Sequence, residues 1–299
     1  MKTGALSKKK LNNYLWAYLM IAPLVIGLMI FYIVPFFKSL FYSFTNMGSF
    51  GTYTEIGVGN YKKLFSDPNF YLALKNTFVF TIISVPISVL LSIILAVLLN
   101  SDIKGLSIYR TIYFLPAVTM SAAVSMVWRW LFNSDFGLIN YFLSKIGIKG
   151  PNWITDPKIA IYSVIIVSIW STVGYNMVIL LAGLQGISRS YYEAAEIDGA
   201  GTVKKFFNIT LPLLTPTIFF VVVTALIGAL QVFDYIFMMI PSNSMALEGT
   251  QSIVYLFYKN AFMLGEKGYA SAIAVVLFVI TMILTFIQMK FQDKWVNYD

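Results

Sequence analysis

Polar and charged positions along the chain are gathered into short clusters that separate long apolar runs. A membrane-crossing helix needs roughly 20 consecutive apolar residues, and windows of that size recur six times, at residues 15–37, 76–99, 110–132, 159–183, 212–239 and 268–290. Segments rich in turn residues lie between them: Thr45 to Pro68, Ser101 to Gly105, Asn133 to Pro157, Gln185 to Thr210 and Pro241 to Gly268. The pattern predicts an all-α integral membrane protein of six transmembrane helices with both ends on one side. Residues 1–14 then form a cytoplasmic N-terminus, 15–290 the six-helix domain and 291–299 a cytoplasmic tail.

Composition agrees with this reading. Of 299 residues, 59% are hydrophobic and 11% charged, where a soluble domain carries about a quarter charged residues. Lys8, Lys9 and Lys10 precede the first run as in the n-region of a signal peptide. That run is too long for such a peptide and no small-residue cleavage site closes it, so it reads as an uncleaved span. With the N-terminus inside, Lys2, Lys8, Lys9, Lys10, Lys104, Arg110, Arg189, Lys204, Lys205, Lys290 and Lys294 are cytoplasmic, 11 of the 21 basic residues. The inside loops are shorter and so more densely basic, which favours both termini in the cytoplasm. Arg129, between Trp128 and Trp130, reads as an interfacial anchor. Prolines 23, 35, 86, 116, 212 and 216 lie in or at the ends of spans, tolerable where neighbours satisfy the freed carbonyls. Ser84, Ser88 and Ser92, four apart, mark a helix face for close packing or a polar cavity.

Much chemistry is excluded. The chain has neither cysteine nor histidine, which removes disulfides, thiol nucleophiles and the commonest metal ligand and general base. The net charge of +8 is scattered through short loops, not gathered into a stripe for nucleic acid. No Gly-Lys pair occurs, so the phosphate-cradling loop of nucleotide hydrolases is missing. No metal or cofactor is expected in this chain.

The loop at residues 188–212 holds the densest set of carboxylates. Ser190 and Glu193 fit a capping box that would start a short helix. Gly199-Ala200-Gly201 would end it at a left-handed corner, and Thr202 would cap a second short helix running to about Asn208. Pro212 would then open the fifth span. Ala194 and Ala195 leave a small flat face beside Glu193 and Glu196.

The stretch "EAAEIDGAGTVKKFFNITLPLLTP" resembles the EAA loop of the membrane subunits of bacterial ABC importers. Further stretches, "YRTIYFLPAVT", "VWRWLFNSDFGLIN", "GYNMVILLAGLQGIS" and "QVFDYIFMM", are similar to carbohydrate-type permeases of the maltose, lactose and glycerol-3-phosphate systems. The ending "MKFQDKWVNYD" is like the first of two permeases in such systems. The resemblance implies a type I importer permease fold in a bacterial cell membrane, with a coupling helix that docks on an ATP-binding subunit through Glu193, Ala194, Ala195, Asp198 and Gly199. It also implies a second homologous permease, two ATP-binding subunits carrying ATP and Mg, an extracellular solute-binding protein and a sugar substrate.

Aligned outward from the EAA loop, with a one-residue gap after Pro212, the maltose permease's sugar-contacting positions fall on Ser168, Thr172, Tyr175, Thr224, Gly228 and Gln231; Tyr175 alone is chemically the same. Asp234, read as about five turns into the fifth helix, and Asn176 are added because polar side chains at mid-membrane are costly. Hydroxyls and amides beside aromatic rings suit a neutral sugar. A glycerol-3-phosphate type of permease is the second reading, disfavoured by spans with essentially no base except Arg129. An ion-coupled secondary transporter is the third, with Asp234 the one carboxylate well inside a span.

Overall fold

The computed structural model describes residues 8–101 and 104–297. Residues 1–7 of the expected N-terminal segment, with Lys2, and residues 298–299 of the tail lie outside it. The chain divides into two compact units, Met1–Phe65 with Asn260–Val275 and Ser66–Lys259 with Val276–Asp299.

In the first unit the membrane-length helix α1, Asn12–Tyr42, has exposed apolar side chains suited to lipid. It passes through a π-turn at Met29–Ile33, just before Pro35. Proline has no N–H and its ring crowds the carbonyl four residues back. Shifting the bonding to five residues, as in Val34 N–H to the Met29 carbonyl, absorbs that crowding without breaking the helix. Lys63 and Glu266 form an ion pair in this unit, and Gly268 N–H donates to the Met47 carbonyl at 2.9 Å.

The second unit begins with α2, Pro68–Leu98, capped by Asp67, whose carboxylate accepts from Asn69 N–H at 2.9 Å. The expected span at 110–132 is instead a bent pair, α3 Leu106–Val118 and α4 Ser121–Leu131, meeting at 97°. Thr119 lies extended between them, φ −84° and ψ 137°. Pro116 already removes one rung in the last turn of α3, and hydropathy is blind to the change of direction. A short helix α5, Leu138–Lys145, leads to α6, Ala160–Gln185. This helix is the centre of the unit, packing on α2 and α3, with Val164, Val167, Met177 and Leu180 fully buried. Gly174 permits the approach to α3, because a Cβ there would overlap the Tyr113 carbonyl.

Then come α7, Arg189–Ile197, and the long α8, Thr202–Leu230, which packs on α2 and α6. The expected fifth span, 212–239, is therefore shifted. It starts at Thr202, runs through a π-turn at Phe206–Thr210 before Pro212, and stops at Leu230. Gln231, Val232 and Phe233 are unwound before α9, Asp234–Met239. A further short helix, α10 at Ile253–Tyr258, is tied back into the unit: Ile253 N–H donates to Thr77 Oγ1 at 3.0 Å, and Asn76 Nδ2 to the Glu248 carbonyl at 2.9 Å. The chain closes with α11, Lys267–Gln292. Among the described residues, five helices are long and apolar enough to cross a membrane, or six if the bent α3–α4 pair counts as one span. The protein is a multi-pass membrane protein.

Candidate functional site

Two features stand out, one at the α6–α8 connection and one among the spans. At the connection, α7 starts two residues earlier than a Ser190 cap would place it. Ser188, extended at ψ 136°, is the cap and its side chain accepts from Ser190 N–H, so Glu193 is not the capping-box partner. The helix ends as expected, with Gly199 at φ +73°, the left-handed conformation that costs glycine little. Thr202 is not a cap but the first residue of α8; the cap position is Gly201, and the helix continues unbroken past Pro212. Glu193, Ala194, Asp198 and Gly199 are exposed and Ala195 is half-buried. Glu196 pairs with Lys205 at 2.8 Å, fastening α7 to α8 across the glycine corner. The hydrogen bond from Lys205 and then its charge hold the Glu196 carboxyl below its ordinary value.

Among the spans, α2, α6, α8 and α9 enclose a cavity of about 330 Å³. Ser168, Thr172, Tyr175 and Asn176 of α6 line it, with Thr224 and Gly228 of α8, Gln231 in the unwound segment and Asp234. All eight positions singled out from the sequence thus meet at one cavity. Asp234 is not deep in a continuous helix: it is the first residue of α9, exposed, and its carboxylate accepts a hydrogen bond from Ser121 Oγ at 2.9 Å. It is the one formal charge among the described residues lining the cavity. Tyr175 is 51% exposed, its ring free to meet a solute.

Sequence reasoning left the α2 serines open between close packing and a polar cavity and did not single out Phe80; Phe80, Ser84 and Ser88, at four-residue spacing, form the α2 wall. The serine stripe divides: Ser84 and Ser88 border the cavity, while Ser92 donates to the Ser88 carbonyl at 2.6 Å and lies 3.1 Å from that of Val173 on α6. Ser84 Oγ and Asn176 Nδ2 are buried without a hydrogen-bond partner among the described residues. Such groups cost free energy unless water or a ligand reaches them. Arg129 is exposed in the last turn of α4, whereas Trp128 turns inward against Phe132 and Trp170.

Residues 73–298 match the family described as binding-protein-dependent transport system inner membrane component. The chain belongs to that family. It is 38% identical over 291 residues to the probable ABC transporter permease protein YesP of Bacillus subtilis (strain 168), covering 96% of this chain and 94% of that protein. The sn-glycerol-3-phosphate transport system permease protein UgpA of Pectobacterium atrosepticum is 33% identical, over 94% of this chain and 95% of that one. The arabinooligosaccharides transport system permease protein AraP of Bacillus subtilis is 32% identical, over 93% and 88%. Among solved structures, a chain of a bacterial alginate ABC transporter in complex with an alginate pentasaccharide-bound periplasmic protein superposes with a TM-score of 0.86 at 24% identity, covering 96% of both chains. The fold is therefore that of type I importer permeases, and the chain is a membrane permease component that works with partner subunits.

Proposed function

We propose that this permease carries an oligosaccharide or related neutral sugar, received from an extracellular solute-binding protein, through the cavity bounded by α2, α6, α8 and α9. The observation that carries the reading is the cavity's lining: hydroxyls of Ser84, Ser88, Ser168 and Thr172, amides of Asn176 and Gln231, rings of Phe80 and Tyr175, and, among the described residues, no basic one. Hydroxyls take directional hydrogen bonds, and the apolar face of a sugar lies against an aromatic ring. A phosphate ester would need cationic groups here, so a glycerol-3-phosphate-like solute fits less well despite the resemblance to UgpA.

ATP and Mg belong, on this reading, to two ATP-binding subunits. Helix α7 docks in one of them through Glu193, Ala194, Ala195, Asp198 and Gly199. A second, similar permease completes the pathway, and both termini lie in the cytoplasm. The support is the exposure of the Glu193 face and the rigid corner that joins it to α8. A secondary transporter would instead need an acid within a continuous span, and Asp234 is the exposed first residue of the short helix α9.

The test is reconstitution of the whole importer in vesicles with its binding protein and a panel of oligosaccharides and glycerol-3-phosphate. Expected is ATP-dependent uptake of a neutral sugar, with Tyr175→Ala and Gln231→Ala each altering sugar-stimulated ATP hydrolysis. Preferential uptake of the phosphate ester, or uptake without ATP, would overturn the proposal.

A further inference from the structure

The end of the chain folds back onto the root of the α6–α8 connection. After α11 stops at Gln292, a turn carries Val296 into a buried position, 8% exposed, and sets Trp295 against Phe219 of α8, ring centres 5.9 Å apart. Asn297 N–H then donates to Thr215 Oγ1 at 2.9 Å.

The acceptor is there for a reason that starts with proline. Pro216 has no N–H, so the Pro212 carbonyl four residues earlier loses its helical donor. Thr215 Oγ1 donates to that carbonyl at 2.6 Å, and this fixes the hydroxyl so that a lone pair faces Asn297. Pro212 lies two residues after the π-turn of α8, on the side away from the corner at Gly199. Tyr191 of α7, Pro212 of α8 and Asp293, Val296 and Asn297 of the tail border one cleft.

We infer that Trp295, Val296 and Asn297 are positioning residues for energy coupling: the tail braces the root of α8, so that displacement of α7 moves the cavity wall instead of flexing the π-turn. This rests on the proposal that α7 receives movement from an ATP-binding subunit.

Two substitutions remove the tether from opposite sides, and only the second also frees the Pro212 carbonyl. Asn297→Pro deletes the donating N–H, and Thr215→Val deletes the hydroxyl while keeping the side chain's shape. Each is tested in the complete importer, alongside a chain ending at Asp293, by measuring sugar uptake per ATP hydrolysed and recovery of the ATP-binding subunit. Expected is recovery equal to the unaltered importer and basal hydrolysis within about twofold, with uptake per ATP falling at least fivefold in both substitutions. Unchanged uptake per ATP in both would overturn the brace. So would loss of the ATP-binding subunit in both, which would make the tail a docking surface. If the unaltered importer shows no ATP-dependent uptake, the failure belongs to the proposed function and not to the brace.

Discussion

The hydroxyl of Ser252 donates to the carbonyl of Val232 at 2.6 Å. Val232 sits in the unwound segment between α8 and α9, where a helical donor is missing. The same hydroxyl accepts from Tyr255 N–H at 3.1 Å and so starts α10. One side chain thereby satisfies a break in a span and caps the helix that packs over it.

Ser252→Ala should therefore leave two buried backbone groups without partners, at about 1–3 kcal/mol for each such group. Thermal unfolding of the purified importer in detergent checks this: the midpoint should fall, and Thr77→Val, which frees only Ile253 N–H, should lower it by about half as much. An unchanged midpoint for Ser252→Ala would mean that water takes over the Val232 carbonyl.

At the corner after α7, two glycines should respond differently. Gly199 has φ +73°, whereas Gly201 is extended at φ −69° with open space around its Cβ position. A side chain in the left-handed region costs about 1–2 kcal/mol. Gly199→Val should reduce recovery of the ATP-binding subunit with the permease several-fold, and Gly201→Ala should leave it as it was. Equal recovery for both would show that the corner's geometry is irrelevant to docking.

Substitution of Gly174 should act through the helix packing alone. A side chain there meets the Tyr113 backbone, which cannot swing aside as a flexible side chain could. Gly174→Leu should separate α3 from α6 and reduce the folded yield in membranes, whereas Gly228→Ala, with nothing within 4 Å, should preserve yield. Fluorescence size-exclusion profiles of the two variants distinguish these outcomes.

The Glu196–Lys205 pair adds a pH dependence of known sign. Its carboxyl is held below the ordinary value by the Lys205 hydrogen bond and charge, so the pair's contribution is present above the ordinary carboxylate range. It is lost as pH falls through the lowered folded-state value. Between neutral pH and about pH 3, the unaltered protein should lose slightly more stability than Glu196→Gln. The difference should be small because the Glu196 carboxylate is exposed and screened by solvent. Parallel thermal scans across that range measure it.

Six apolar runs were legible because lipid offers no hydrogen bonds and forces helices of fixed minimum length. The cavity positions were legible only through the resemblance to the maltose permease, whose sugar contacts fall on Ser168, Thr172, Tyr175, Thr224, Gly228 and Gln231. Their spacing agrees with it on α6, where Ser168, Thr172 and Tyr175 stand at intervals of four and three and share a helix face. The breaks were not legible. Nothing among Gln231, Val232 and Phe233 signals unwinding; what permits it is Ser252, 20 residues away. The α7 start was misplaced because Ser190-x-x-Glu193 imitates a capping box, while Ser188 two residues earlier has the extended backbone that a cap requires.

The π-turn at Phe206–Thr210 has a consequence for how this chain can vary in length. Such a turn is an ordinary helix carrying one surplus residue, and each residue of an α-helix advances by roughly 100°. Removing any one of those five residues would let the helix heal into regular α form. Thr224 and Gly228 would still face the cavity, because the five-residue bond already takes the surplus residue out of the helical phase; the same deletion further along α8, in regular helix, would turn them by roughly 100° relative to α7. The bulge is the place where α8 can lose one residue between its driven end and its solute-facing end without turning one against the other.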